Sequence, residues 1–256
     1  MLATEQRRDY GVSYMDLKNK NAIVTGAGVR IGKALALALA DAGANVAVHY
    51  NRSEQPAREV AEAIESRGRQ AVLVQGDLLD PVATSKSVVA AATESLGPID
   101  ILINSAAIFE QSDLLSTTEE QWDRHHTINL KAPFFMSQAF VSELEKRHGH
   151  IINIVDWRGT RPPGDYVAYT PTKVGLVGMT KNLALGLAPK VQVNAIAPGA
   201  ILPGPTETQE HFDERETEIP LRKTGSPEQI AEAMLYLLRS EFVTGEVVHV
   251  TGGEGL

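Results

Sequence analysis

Short apolar, β-branched runs alternate with longer amphipathic ones along almost the whole chain. Residues 22–25, 45–50, 71–75, 99–104, 151–155, 191–197 and 247–250 read as strands. Between them, residues 31–42, 55–67, 81–96, 167–187 and 227–238 space their apolar positions as helices do. Residues 119–145 read as two helical pieces. Pro133 disturbs their middle, because a proline inside a helix lacks a donor and clashes with the preceding turn. Gly43, Gly68 and Gly97 stand where helices stop, and Asp80 and Ser226 where they are capped.

This is βαβ repetition from end to end. Strands apolar on both faces belong in a parallel sheet covered by helices on each side. Right-handed crossovers then make the sheet doubly wound. The expectation is an α/β protein: one doubly wound Rossmann domain over residues 17–256, with about seven parallel strands and helices on both faces. Such a sheet binds ligands beyond the carboxyl ends of its strands, near the point where strand order reverses. The stretch 199–224, rich in Pro, Gly and acids, is long for a connection and reads as a lid or binding loop. Residues 1–16 read as a loose polar extension. Arg7 and Arg8 lack a following apolar segment, so this is not a secretory signal, and Met15 is an alternative start.

Composition narrows the function classes. The 256 residues are 43% apolar and 22% charged, which suits a folded core. Net charge is −8 with no Lys/Arg block, which argues against a nucleic-acid partner. No apolar run is long enough to span a membrane, so no membrane partner is expected. With no cysteine there are no disulfides, thiolate metal sites or Cys nucleophile, and a reducing, cytoplasmic setting is expected. His125 and His126 are adjacent and diverge on a helix, and His148 and His150 lack carboxylates at ligand spacing, so no metal site is expected.

After the first strand comes Thr25-Gly26-Ala27-Gly28-Val29-Arg30-Ile31-Gly32, opening a helix. Glycines allow a tight turn and close backbone approach, and a helix N-terminus offers free N–H groups to a diphosphate. The second strand ends in His49-Tyr50-Asn51-Arg52-Ser53, with no acid before Glu54 to hold a ribose 2′-hydroxyl. Arg52, with Asn51 and Ser53, suits a 2′-phosphate instead, and Arg30 adds a second cation. That favours NADP(H), although Arg52 also reads as a solvated loop charge. Tyr169 and Lys173 stand four apart on one predicted helix face, so both reach one site. A neighbouring ammonium favours the phenolate and eases proton exchange.

These segments resemble the short-chain dehydrogenase/reductase family. Thr25, Gly26 and Gly32 match its loop, with Arg30 at the middle glycine. Asp77-Leu78, Asn104-Ser105-Ala106-Ala107, Asn129, Tyr169-x-x-x-Lys173 and Pro198-Gly199 follow in order. The resemblance implies cofactor contacts at Gly26, Arg30, Ile31, Gly32, Asp77, Leu78, Asn104, Pro198 and Gly199. It also implies Lys173 on the nicotinamide ribose and Asn129 supporting a proton relay through water. A homotetramer packed through the helix from Val167 and the last strand is implied as well.

Thirteen positions before Tyr169 the family has Ser; here stands Asp156. Ser donates a neutral hydrogen bond, whereas an ionised Asp only accepts. A plain ketone reductase gains little from that exchange; a substrate with protonatable ring nitrogens gains more. Arg30, Asp156 and Phe109 together resemble the pteridine reductase subgroup. In it, Arg30 would reach cofactor phosphate and substrate, Phe109 would stack a pterin against the nicotinamide, and Asp156 with Tyr169 would manage protonation. A flat heteroaromatic ring prefers such a stacking partner, although Phe109 also reads as core. Ala107 stands where that subgroup often has Ser. The expected substrate is a pterin or related planar molecule. The alternatives are another carbonyl or 3-oxoacyl thioester reductase of the family, which Arg30 and Asp156 argue against, and a non-catalytic dinucleotide sensor, which has no need of Asn129, Tyr169 and Lys173.

Overall fold

A computed structural model describes residues 16–162, 164–204 and 207–256. The extension expected over residues 1–16 and the alternative start at Met15 lie, apart from Asp16, outside the described residues. The seven strands are β1 (Asn21–Val24), β2 (Asn45–Tyr50), β3 (Ala71–Gln75), β4 (Ile101–Asn104), β5 (Gly149–Ile154), β6 (Val191–Pro198) and β7 (Val247–Val250). They pair parallel in the order β3-β2-β1-β4-β5-β6-β7. Order reverses between β1 and β4, so the ligand crevice of such a sheet lies above these two strands.

The helices are α1 (Arg30–Asp41), α2 (Glu54–Glu65), α3 (Pro81–Leu96), α4 (Glu119–His126), α5 (Ala132–Glu143), α6 (Thr170–Leu187), α7 (Gln209–Glu214) and α8 (Pro227–Arg239). Strand side chains alternate between the faces. Ala22, Val24, Val46, Val48, Ile101 and Ile103 pack under α1, α2 and α8, against Leu35, Leu39, Ile64 and Met234. Ile23, Ala47, Leu102 and Ile151 point to the opposite face, against Val88, Met136, Phe140 and Ala184 of α3, α5 and α6. The two buried layers explain why the strands carry almost no polar alternation.

The caps at Asp80 and Ser226 are formed: Ala83 N–H donates to Asp80 Oδ1 at 3.5 Å, and Ser226 N–H to Gln229 Oε1 at 3.0 Å. Three elements depart from the sequence pattern. The break in residues 119–145 is a π-helical segment, Thr127–Lys131, rather than Pro133. Pro133 sits in the first turn of α5, where a missing N–H is cheap. The long helix starts at Thr170 instead of 167. The stretch 199–224 contains α7 and a 3₁₀ turn, Arg215–Thr217.

Candidate active site

The site is built from the segments that follow the strands. Above β1, Gly26 takes φ +66°, and a Cβ there would lie 2.9 Å from Ala106 Cα. A Cβ on Gly32 would collide with the Gly26 carbonyl. The loop therefore lies tight on the sheet and opens a cradle of backbone N–H groups at the start of α1, a geometry that accepts a diphosphate. Arg30 adopts φ +54° where the family pattern has glycine, a conformation costing about 1–2 kcal/mol for an L-residue. Its Nη2 donates to the Pro203 carbonyl at 2.7 Å, tying the cofactor loop to the segment after β6.

Two buried side chains hold this loop. Thr25 Oγ1 accepts from the N–H groups of Ser105 and Ala106, both at 3.0 Å. His49 Nδ1 accepts the Gly26 N–H at 3.2 Å, so its Nε2 carries the proton and donates to Gly76 O at 3.2 Å. Burial lowers the His49 pKa to about 4, with the Gly76 contact opposing. Beyond β2, Arg52 is exposed while Asn51 and Ser53 are partly covered. Ser53 Oγ would lie 3.2 Å from a Cβ on Gly28, which brings the two loops together.

Several expected cofactor residues offer backbone rather than side chain. Asn104 Nδ2 donates to Asn153 Oδ1 at 2.9 Å inside the sheet, so only its main chain reaches the crevice edge. Asp77 Oδ1 accepts from Leu79 N–H at 3.0 Å, and Leu78 is buried. Gly199 N–H donates to Val250 O at 3.0 Å, just beyond Pro198 at the end of β6.

The residues expected to be catalytic assemble around Tyr169, which immediately precedes α6 with helical φ/ψ (−82°, −53°) and so keeps its spacing to Lys173. The Tyr169 hydroxyl donates to Asp156 Oδ2 at 2.9 Å. The Lys173 ammonium donates to Ile154 O at 2.9 Å and lies 5.6 Å from the Tyr169 ring centroid. Burial, the Asp156 charge and its hydrogen bond hold the Tyr169 phenol well above its usual value, while Arg158 pulls the other way. Burial lowers Lys173 to about 8, with Asp156 opposing. The arrangement thus keeps a protonated phenol beside a carboxylate.

Asn129 is fully buried in the π segment, and its side chain does not face the catalytic group. Its Oδ1 accepts from Ile108 N–H and its Nδ2 donates to Ile108 O, both at 2.9 Å. Both polar atoms of the Asn129 side chain are therefore committed to the main chain at Ile108.

Phe109 stands edge-on to Tyr169, with centroids 4.8 Å apart. One face of Phe109 is covered by Tyr166, stacked at 4.4 Å and 13°. Tyr166, which no motif singles out, takes φ +54° to reach that position. A cavity of about 670 Å³ adjoins these rings, walled by Trp157, Arg158, Tyr166, Glu207, Glu214 and Glu218 among others. Gly204 packs beside these rings, since a Cβ there would lie 3.7 Å from Phe109 Cε1, and Glu207, on the cavity wall, accepts from Gly204 N–H at 2.9 Å through Oε2.

A phosphate cradle at the switch point, with a buried Tyr–Lys pair beside it, defines a dinucleotide-dependent oxidoreductase. The family described as enoyl-(acyl carrier protein) reductase matches residues 26–254. The 3-oxoacyl-[acyl-carrier-protein] reductase FabG of Staphylococcus epidermidis is 34% identical over 243 residues, covering 92% of this chain and 98% of that protein. The crystal structure of FolM alternative dihydrofolate reductase 1 from Brucella canis, complexed with NADP, superposes with a TM-score of 0.90 at 32% identity, over 94% of this chain and 95% of that one. A short chain dehydrogenase from Burkholderia cenocepacia in complex with NADP gives a TM-score of 0.89 at 30% identity, over 94% and 100%. The chain belongs to the short-chain dehydrogenase/reductase family.

Proposed function

We propose that the protein reduces a pterin, dihydropterin to tetrahydropterin, with NADPH as the reductant. The observation that supports this most is Asp156, standing where the family has Ser and accepting the Tyr169 hydroxyl. A carboxylate-backed phenol suits a substrate whose C=N bond must gain a proton at nitrogen. Phe109 beside Tyr169 supplies a flat apolar surface for a heteroaromatic ring.

NADPH is supported by Arg52 and Ser53 after β2, and by the NADP bound in the Brucella and Burkholderia structures. When bound, the nicotinamide supplies the hydride that the C=N carbon gains. Gly26, Ile31, Gly32 and the backbone at Asn104, Pro198 and Gly199 would hold the dinucleotide, Arg30 its phosphates and the substrate, and Lys173 its ribose. Tyr169 gives its hydroxyl proton to the ring nitrogen, so carbon gains H⁻, nitrogen gains H⁺ and C=N becomes CH–NH. Asp156 orients the phenol beforehand, and Lys173 offsets the negative charge left on the phenolate oxygen. Asn129 supports reprotonation through its main chain. Positioning the flat ring against the cofactor supplies much of the rate.

A second reading, reduction of a 3-oxoacyl thioester, is favoured by the 34% identity to the staphylococcal reductase. NADPH consumption with dihydrobiopterin and with an acetoacetyl thioester separates the two. Turnover of the thioester alone overturns the pterin reading.

We infer a homotetramer packed through α6 and β7. Apolar side chains exposed on the α4–α6 side, among them Trp122, Phe134 and Val174, support it. Light scattering on the purified protein tests it. The cysteine-free composition supports a cytoplasmic setting.

A further inference from the structure

We infer that Arg158 is a positioning residue of the reaction: it acts through Asp156, balancing that carboxylate's charge and fixing its orientation toward the Tyr169 hydroxyl. The inference rests on the reading that Asp156 and Tyr169 handle the proton.

The local chain makes this contact possible. Asp156 leaves β5 extended, and residues Trp157–Gly159 fold at once into a 3₁₀ turn. The turn brings Arg158 back over the residue two before it. Its N–H donates to Asp156 Oδ1 at 2.8 Å, and its Nη1 lies 3.5 Å from the same oxygen. The other oxygen, Oδ2, takes the Tyr169 hydroxyl at 2.9 Å. One carboxylate is thus held from both sides. An Asp side chain otherwise turns broadly about its last bond; the Arg158 N–H and the Tyr169 hydroxyl remove that freedom, and the guanidinium adds a positive charge on the Oδ1 side.

The guanidinium is itself fixed. Its central carbon lies 4.8 Å from the Trp157 ring centroid, 5.4 Å from Tyr166 and 5.8 Å from Phe109. Arginine faces suit such ring contacts. Its Nε is buried without a hydrogen-bond partner. Among the described residues, the carboxylate paired with Arg158 is that of Asp156. The Arg158 Nη1 faces that single carboxylate at 3.5 Å.

Charge points the same way. A Ser at position 156 is neutral and needs no counter-cation. A carboxylate beside a buried phenol opposes the phenolate that proton donation leaves behind. Two cations face this pair: Lys173, committed to Ile154 O, and Arg158, committed to Asp156. His125, whose ring centroid is 6.5 Å from that of Tyr169, is a third titratable neighbour. Arg158 is the one that touches the carboxylate, and through Phe109 and Tyr166 it also borders the ring slot.

The test is a double-mutant cycle in full-length enzyme, read as steady-state NADPH oxidation with dihydrobiopterin, using Arg158→Gln, Asp156→Asn and the double variant. Arg158→Gln should lower kcat by about tenfold, moving KM less, with NADPH affinity unchanged; Arg158→Lys, which keeps the charge, should recover part of the loss. In the Asp156→Asn background the same Arg158→Gln change should alter kcat by no more than about twofold. Equal losses in both backgrounds would mean that Arg158 acts on packing alone and would overturn the proposal. So would an unchanged kcat in the single variant. If Arg158→Gln does not fold, as judged by circular dichroism, Arg158→Met, which keeps the apolar stem and removes the charge, carries the same cycle. If the wild type reduces only the thioester, the pterin reading fails and the cycle, run on that thioester, judges Arg158 separately. A wild type that reduces neither overturns both.

Discussion

Tyr169 and Asp156, thirteen residues apart, share one hydrogen bond in which the phenol donates and the carboxylate accepts, at 2.9 Å. The relationship joins the end of β5 to the start of α6 and sets the protonation state of the site. Asp156 and burial both hold the phenol above its ordinary range. A phenol so held remains a proton donor across neutral pH. In the proposed reduction it would stand ready as the acid before substrate arrives.

Tyr169→Phe removes the donor and leaves the ring. A positioned acid typically contributes about 10²–10⁴-fold, so kcat should fall by that order. The Phe ring still packs beside Phe109, and NADPH affinity should stay within about twofold. Steady-state kinetics together with fluorescence titration of NADPH checks both. Unchanged turnover removes Tyr169 from the mechanism.

Asp156→Ser restores the family's ordinary residue. The carboxylate's upward push on the Tyr169 phenol disappears, so phenolate forms at lower pH. The alkaline loss of reductase activity, which follows loss of the phenol proton, should therefore begin at lower pH than in the wild type. Pterin reduction should weaken and ketone reduction improve. A pH profile of kcat for both substrates tests the sign; an alkaline limb that moves upward contradicts it.

The positions of the strands and most helix ends were legible in the sequence because they depend on local signals: apolar period, Asp80 and Ser226 as caps, and glycines as stops. The π segment at Thr127–Lys131 was not, since an extra residue in a helix turn is fixed by what Asn129 meets at Ile108. Pro133 was read as the disturbance because one dimension shows a breaker, not its place in a turn. The residues above each strand were legible as a set. His49 read only as a strand residue: nothing linear places it under Gly26. Arg158 stood beside Asp156 in the chain, but their pairing depends on a three-residue turn.

Arg52 is exposed at the end of β2, where a 2′-phosphate would lie in a bound dinucleotide of this fold. Arg52→Ala should weaken NADPH binding by about tenfold, the loss of one charge-assisted contact, and leave NADH binding nearly unchanged. Paired titrations measure the ratio. An unaltered preference would return Arg52 to the role of a solvated loop charge.

The cavity beside Tyr166 bears on substrate charge. Glu254 pairs with Arg215, Arg158 faces Asp156, and His211 lies 4.0 Å from Glu207 and 3.4 Å from Glu214; with Asp165 and Glu218 the wall carries more acids than bases. A substrate tail carrying carboxylates meets repulsion there, and a neutral one does not. The kcat/KM for dihydrobiopterin should exceed that for dihydrofolate, and the gap should narrow as salt is raised. A gap that does not respond to salt, or to Glu207→Gln, contradicts this.

His49 fastens the cofactor loop by accepting the Gly26 N–H, which only the neutral ring can do. Its pKa in the folded protein, about 4, lies below the value of 6.5 for an exposed ring. Between these values the unfolded chain binds the proton and the folded one does not, so unfolding is favoured as pH falls. Stability is complete above pH 6.5 and declines through the window down to 4, by a total on the order of 3 kcal/mol for this residue. His150, buried and also lowered to about 4, adds a loss of the same sign in the same window. His49→Gln retains a side-chain acceptor and removes the titration. Its melting temperature should therefore fall less steeply than that of the wild type between pH 6.5 and 4, with about half of the histidine-dependent slope remaining, owed to His150. An identical slope in the two proteins would show that the ring under Gly26 is not the group that takes up the proton.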